Sequence, residues 1–215
     1  MQQIFVHGLG QKPSSWDKTI ENLKVNSNCS CPDLSEMLQG GETNYANLYV
    51  KFSEYCGGFS EPIALCGLSL GAVLALHYGI EHPGKVKSLA LIAAQYKMPK
   101  ALLAFQNIMF HFMPDSRFQG IGFGKKQFIQ LSKSMMKLDY SAELNKISCP
   151  VLVICGEKDS ANMKAARELS ERVPQAEFCI IENAGHAVNA DAPEQLAKVL
   201  DGFMAGTAAV SITFP

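Results

Sequence analysis

Long apolar runs are missing from this sequence. No stretch reaches the length needed to cross a bilayer, and the N-terminus lacks the basic-then-apolar profile of a secretory leader. Charge is scarce as well. Charged residues make up 18% of the chain, Lys and Arg number 19 against 20 Asp and Glu, and the formal net charge is −1. A balance this even leaves no electrostatic footprint for nucleic acid. There is one tryptophan, no low-complexity tract and no internal repeat. The seven cysteines are an odd number without a disulfide framework, and Cys29-Ser30-Cys31 has no matching second pair for zinc. Cys66, Cys155 and Cys179 fall in apolar strand candidates, where a free thiol acts as a small hydrophobe in a reducing compartment. These absences predict a cytoplasmic protein that needs no metal, cofactor, nucleic acid or membrane. Its oligomeric state stays open.

What the chain does have is apolar residues in short, patterned runs. Hydrophobic residues make up 47% of 215, enough for one domain with an efficient core. Residues 2–6, 63–68, 86–93, 150–155 and 177–181 read as buried strands. Residues 13–24, 45–55, 70–81, 162–173 and those from Pro193 onward carry helical spacing. The alternation predicts an α/β fold: a mostly parallel central sheet with helices on both faces. Residues 95–145 break the rhythm with helix-like pieces rich in Met and Phe. The tail after Gly206 is assigned no element.

The most informative stretch is Gly67-Leu68-Ser69-Leu70-Gly71, between a buried strand and an apolar helix. A strand–turn–helix of this pattern is a nucleophile elbow, with the serine hydroxyl lifted clear of the sheet near the positive end of the helix. A serine needs a base to take its proton, and the base needs a third group to orient it. Of five histidines, His77 sits about 12 Å along the helix from Ser69, His82 suits a helix end, and His111 lies in the Met/Phe block. His7 suits a structural role better than base chemistry. His186 follows a strand through a Gly-containing loop, in the order serine, acid, histidine, and is the expected base. Asp159 after the strand 150–155 is the preferred acid, with Glu157 and Asp191 as rivals and a helix cap as its plain alternative. The oxyanion donors are expected to be the amides of Leu70 and of Leu9 in His7-Gly8-Leu9-Gly10.

With these motifs assembled, the chain resembles the α/β-hydrolase superfamily, in its compact form with a helical cap. The likeness runs through His7-Gly8-Leu9-Gly10, the Ser69 elbow, Gly156-Glu157-Lys158-Asp159, and Ala184-Gly185-His186 before Asp191-Ala192-Pro193-Glu194. It implies a core of residues 1–94 and 146–215, a short cap of residues 95–145, and an N-terminally trimmed sheet that lacks two strands usual before the oxyanion loop. It also implies a serine hydrolase cleaving a small carboxylic ester or thioester through Ser69, Asp159 and His186. The same triad admits carbon–carbon hydrolase or lyase chemistry, as in the menaquinone-pathway branch, or a non-catalytic ligand-binding role. Expected substrate-binding residues are His7, Gln95, Met109, Phe112 and Arg117. The cap carries seven basic residues against three acidic ones, so an anionic acyl group meeting Arg117 or Lys125-Lys126 is a further expectation.

Overall fold

The computed structural model describes residues 1–24 and 28–206, and the C-terminal tail named above lies outside them. Among these residues six strands form one sheet: β1 (Gln2–Val6), β2 (Asn28–Ser30), β3 (Ile63–Leu68), β4 (Val86–Ile92), β5 (Val151–Gly156) and β6 (Ala176–Ile181). Their order is β2-β1-β3-β4-β5-β6, and every pairing is parallel. β3 and β5 are buried at every position, as continuous apolar runs covered on both faces must be.

The helices are α1 (Asp17–Glu21), α2 (Leu34–Met37), α3 (Tyr45–Gly57), α4 (Leu70–Glu81), α5 (Lys100–Phe112), α6 (Lys125–Met135), α7 (Ser160–Arg172), α8 (Val188–Asp191) and α9 (Pro193–Met204). Side chains alternate across the sheet, so two cores form. Ile4, Leu65, Leu91 and Val153 face Leu48, Phe52 and Leu74 of α3 and α4. Phe5, Leu68, Ile92 and Ile154 face Trp16 and, on α9, Leu196 and Leu200. The lone tryptophan is fully buried against Phe5, with ring centroids 5.2 Å apart. Each large apolar side chain so buried contributes about 1.5–3 kcal/mol. Residues 13–24, expected as one helix, instead run as a 3₁₀ turn (Pro13–Trp16) followed by α1.

Residues 95–145 leave the sheet after β4 and return before β5. Their ends are zipped together: Met98 N–H donates to the Leu138 carbonyl at 3.0 Å and Tyr140 N–H to the Tyr96 carbonyl at 2.8 Å. Between them α5 and α6 pack side by side, joined by the Phe110, Phe118 and Phe128 rings in mutual edge-on contact. α6 is also tied to α3, because the Ser134 hydroxyl accepts from the Tyr45 N–H at 2.8 Å. Among the described residues no helix is long and apolar enough to cross a membrane.

Candidate active site

β1 connects to β2 on one side of itself, and β3 then pairs with its other side. At such a reversal the loops beyond the strand ends splay apart and leave a crevice. The loop carrying Leu9 and the turn carrying Ser69 stand on either side of it. Ser69 has φ 54 and ψ −112, a conformation that costs a non-glycine residue about 1–3 kcal/mol. It persists because the surroundings leave no alternative. Ser69 N–H is held by the Ile92 carbonyl at 2.9 Å, and its own carbonyl already accepts from Val73 in the first turn of α4. The strand and helix cross so closely that a Cβ on Gly71 would run into the Val6 carbonyl. Leu70 is the first residue of α4, where backbone N–H groups have no partner within the helix.

Two further loops meet beyond β5 and β6. Asp159 is almost fully buried, its side chain 4% exposed, and Oδ2 lies 2.8 Å from His186 Nδ1. It stands in the cap position of α7 but makes no capping bond with its side chain, which turns to the histidine. Burial pushes its carboxyl up, yet the bonds from His186 and from Asn162 outweigh this and hold it below the usual carboxylate range. The carboxylate accepts from Nδ1–H, which fixes the tautomer and leaves Nε2 with a free lone pair. The rivals Glu157 and Asp191 hold main chain instead: Glu157 Oε2 accepts from Asn183 N–H at 2.8 Å, and Asp191 Oδ2 from Gly185 N–H at 2.7 Å. Both pin the loop that presents His186.

Ser69, Asp159 and His186 border one cavity of about 380 Å³, together with Leu9 and Leu70. Its far wall comes from Leu103, Gln106 and Phe110 of α5 and from Phe128, Ser132 and Met135 of α6. The model of the alpha/beta hydrolase family matches residues 3–199. The chain belongs to that family. Among curated relatives it is 22% identical over 240 residues to the pimeloyl-[acyl-carrier protein] methyl ester esterase of Aeromonas hydrophila, covering 94% of each. It is 24% identical over 164 residues to the mouse monoacylglycerol lipase ABHD6, spanning 67% of this chain but only 49% of that protein. Among solved structures, MenH from S. aureus superposes with a TM-score of 0.81 at 16% identity, over 96% of this chain and 94% of that one. At that identity the likeness speaks for the fold alone.

In this hydrolase, several residues expected to bind substrate lie elsewhere. His7 is fully buried with both ring nitrogens engaged: Nδ1 donates to the Gly8 carbonyl at 2.9 Å, and Nε2 accepts from Leu34 N–H at 3.1 Å. Burial lowers its pKa, and the neutral ring ties the loop that carries Leu9 to the start of α2. Met109 and Phe112 are 49% and 83% exposed, on the side of α5 away from the cavity. Arg117 is exposed on the turn after α5. Lys125 reaches Asp115 at 3.3 Å and the carbonyls of His111 and Met113, and Lys126 is exposed. Among the described residues no Lys or Arg lines the cavity. Of the five expected binding residues only Gln95 does. Asn162, Gln106 and Ser132 also line it and were not anticipated. Asn162 had a signal, since Asp159 and Asn162 are three apart at a helix start and therefore share a face.

Proposed function

We propose that this chain is a serine hydrolase cleaving a small, uncharged carboxylic ester or thioester through an acyl-enzyme. The observation that carries the reading is the Asp159–His186 pair, 2.8 Å apart, bordering the same cavity as the strained Ser69. Ser69 Oγ attacks the carbonyl carbon while His186 Nε2 takes its proton. The Leu9 and Leu70 amides receive the oxyanion, and buried, ionised Asp159 steadies the imidazolium. As the tetrahedral intermediate collapses, His186 hands its proton to the departing alcohol or thiol. A water then enters, loses a proton to His186 and attacks the acyl carbon, releasing the acid and restoring Ser69. Among the described residues the Ser69 hydroxyl makes no hydrogen bond; it meets His186 when a bound carbonyl draws the groups together.

The cavity's wall supports the substrate class. Apart from the triad it is apolar with neutral hydrogen-bonding groups, Gln95, Gln106, Asn162 and Ser132. A carboxylate-bearing acyl chain would be desolvated there without a cation. Residues 95–145 serve as the cap that closes this space. The esterase and lipase names of the relatives agree with ester cleavage.

A fluorophosphonate probe and a panel of esters and thioesters of graded acyl length test the reading. Covalent labelling of Ser69 with turnover of neutral acyl substrates is expected. Labelling without turnover of any of them would overturn hydrolysis in favour of lyase chemistry, and absence of labelling would favour a binding role.

A further inference from the structure

Asp159 has a second partner besides His186. Asn162, in the first turn of α7, places its Nδ2 at 2.8 Å from both carboxylate oxygens of Asp159. The same nitrogen lies 3.1 Å from His186 Nδ1. Gln95 then donates from Nε2 to Asn162 Oδ1 at 2.7 Å. Gln95, Asn162 and Asp159 all line the cavity, but the Asp159 side chain is only 4% exposed. A line of hydrogen bonds thus runs from the cavity wall through two amides to the buried carboxylate.

The polarity of that line is forced. An ionised carboxylate only accepts, so Asn162 must turn its NH₂ to Asp159 and its oxygen away. The oxygen in turn requires a donor, and Gln95 supplies it. Each bond keeps the next amide from flipping. We propose that Gln95 and Asn162 form a polarity-fixed relay in which Asn162 positions Asp159, and Gln95 links that positioning to what the cavity holds. The inference rests on the triad reading above. The His186 side chain is 49% exposed, so its ring is held chiefly through Nδ1 and Asp159. Without the Asn162 donor, the carboxylate can pivot and the ring pivots with it. Gln95 keeps one N–H and its carbonyl oxygen for a polar atom of the acyl group. A substrate that engages them stiffens the relay where it meets the acid.

Three variants test the relay against a purely structural role. Asn162→Ala is expected to lower kcat about ten- to hundredfold with KM little changed, because alignment and not binding is lost. Gln95→Met removes the donor and lowers kcat less. Gln95→Glu is expected to be worse at neutral pH, because an acceptor then faces the Asn162 oxygen. Its deficit relative to wild type shrinks between about pH 8 and about pH 5, as the introduced carboxyl takes up a proton and can donate again. Thermal unfolding of each variant separates misfolding from misalignment, and Asp159→Asn serves as the control. If Asp159→Asn is crippled while Asn162→Ala and both Gln95 variants keep wild-type kcat and pH profiles, the relay is refuted and the triad stands. If Asp159→Asn itself keeps its turnover, the triad reading falls and the relay falls with it.

Discussion

A Cβ on Gly156 would overlap the Gly185 carbonyl oxygen, so the end of β5 and the loop after β6 touch backbone to backbone. Lys158 N–H donates to the Ala184 carbonyl and Glu157 N–H to the Ile181 carbonyl, both at 2.9 Å, on the same seam. This contact brings Asp159 and His186, 27 residues apart, within 2.8 Å. Gly156→Ala should therefore push the His186 loop outward. We expect at least a tenfold loss of kcat together with a lower Tm, the price of moving main chain. Turnover and Tm both at wild-type levels would mean the seam has slack.

The backbone of Ser69 is strained, and the proposed mechanism uses its hydroxyl. Ser69→Gly keeps the elbow conformation but relieves the cost of φ 54, a gain of about 1 kcal/mol or a Tm rise of about 2–4 °C. Turnover should fall to the residual that the oxyanion donors and binding sustain. An inactive but more stable variant in differential scanning calorimetry is the expected pairing. Substantial turnover would remove Ser69 from the mechanism.

Asp159→Asn should lose about four decades of turnover, because the amide favours the wrong tautomer of the histidine. Glu157→Gln and Asp191→Asn, which only loosen the presenting loop, should cost far less. The same carboxylate makes stability depend on pH in a defined direction. Its folded-state pKa is depressed by the His186 and Asn162 bonds, against the opposing effect of burial. Its stabilising contribution is thus full above the unfolded value of about 3.9 and is lost as pH falls through the lower folded value. Relative to Asp159→Asn, wild-type Tm should decline as pH drops below about 4. A constant difference across that range would contradict the assigned shift.

The basic excess of residues 95–145 faces solvent and not the cavity. Matched neutral and carboxylate-terminated acyl esters should differ in kcat/KM in favour of the neutral one, by tenfold or more. Arg117→Gln should leave both values and their salt dependence unchanged. A preference for the anionic ester that Arg117→Gln or added salt abolishes would return the cationic surface to the binding reaction.

Whatever is local could be read from the sequence. The Ser69 elbow was visible because its glycines, strand and helix are contiguous, and helix Leu70–Glu81 was expected over the range it occupies. The parallel α/β architecture followed from the alternation of patterns, since a strand–helix–strand unit with one apolar side per element has few ways to bury it. Residues 95–145 could be seen to differ, but the facing of each side chain could not. Phe110 lines the cavity and Phe112 projects into solvent, two positions apart on α5, because the rotation of that helix is set by packing against α6. Among Asp159, Glu157 and Asp191, the chain alone could only rank the carboxylates. The Gly156–Gly185 seam decided which one reaches His186 and left the other two holding backbone. His7 shows the same limit, for burial under α2 spends both its nitrogens on main chain. The Gln95–Asn162 relay spans 67 residues and joins the end of β4 to the start of α7. Spacing could tie Asn162 to Asp159 and Gln95 could be expected near the site, but nothing in the sequence pairs the two amides with each other; only the folded sheet, by setting those two strand ends side by side, determines that they meet.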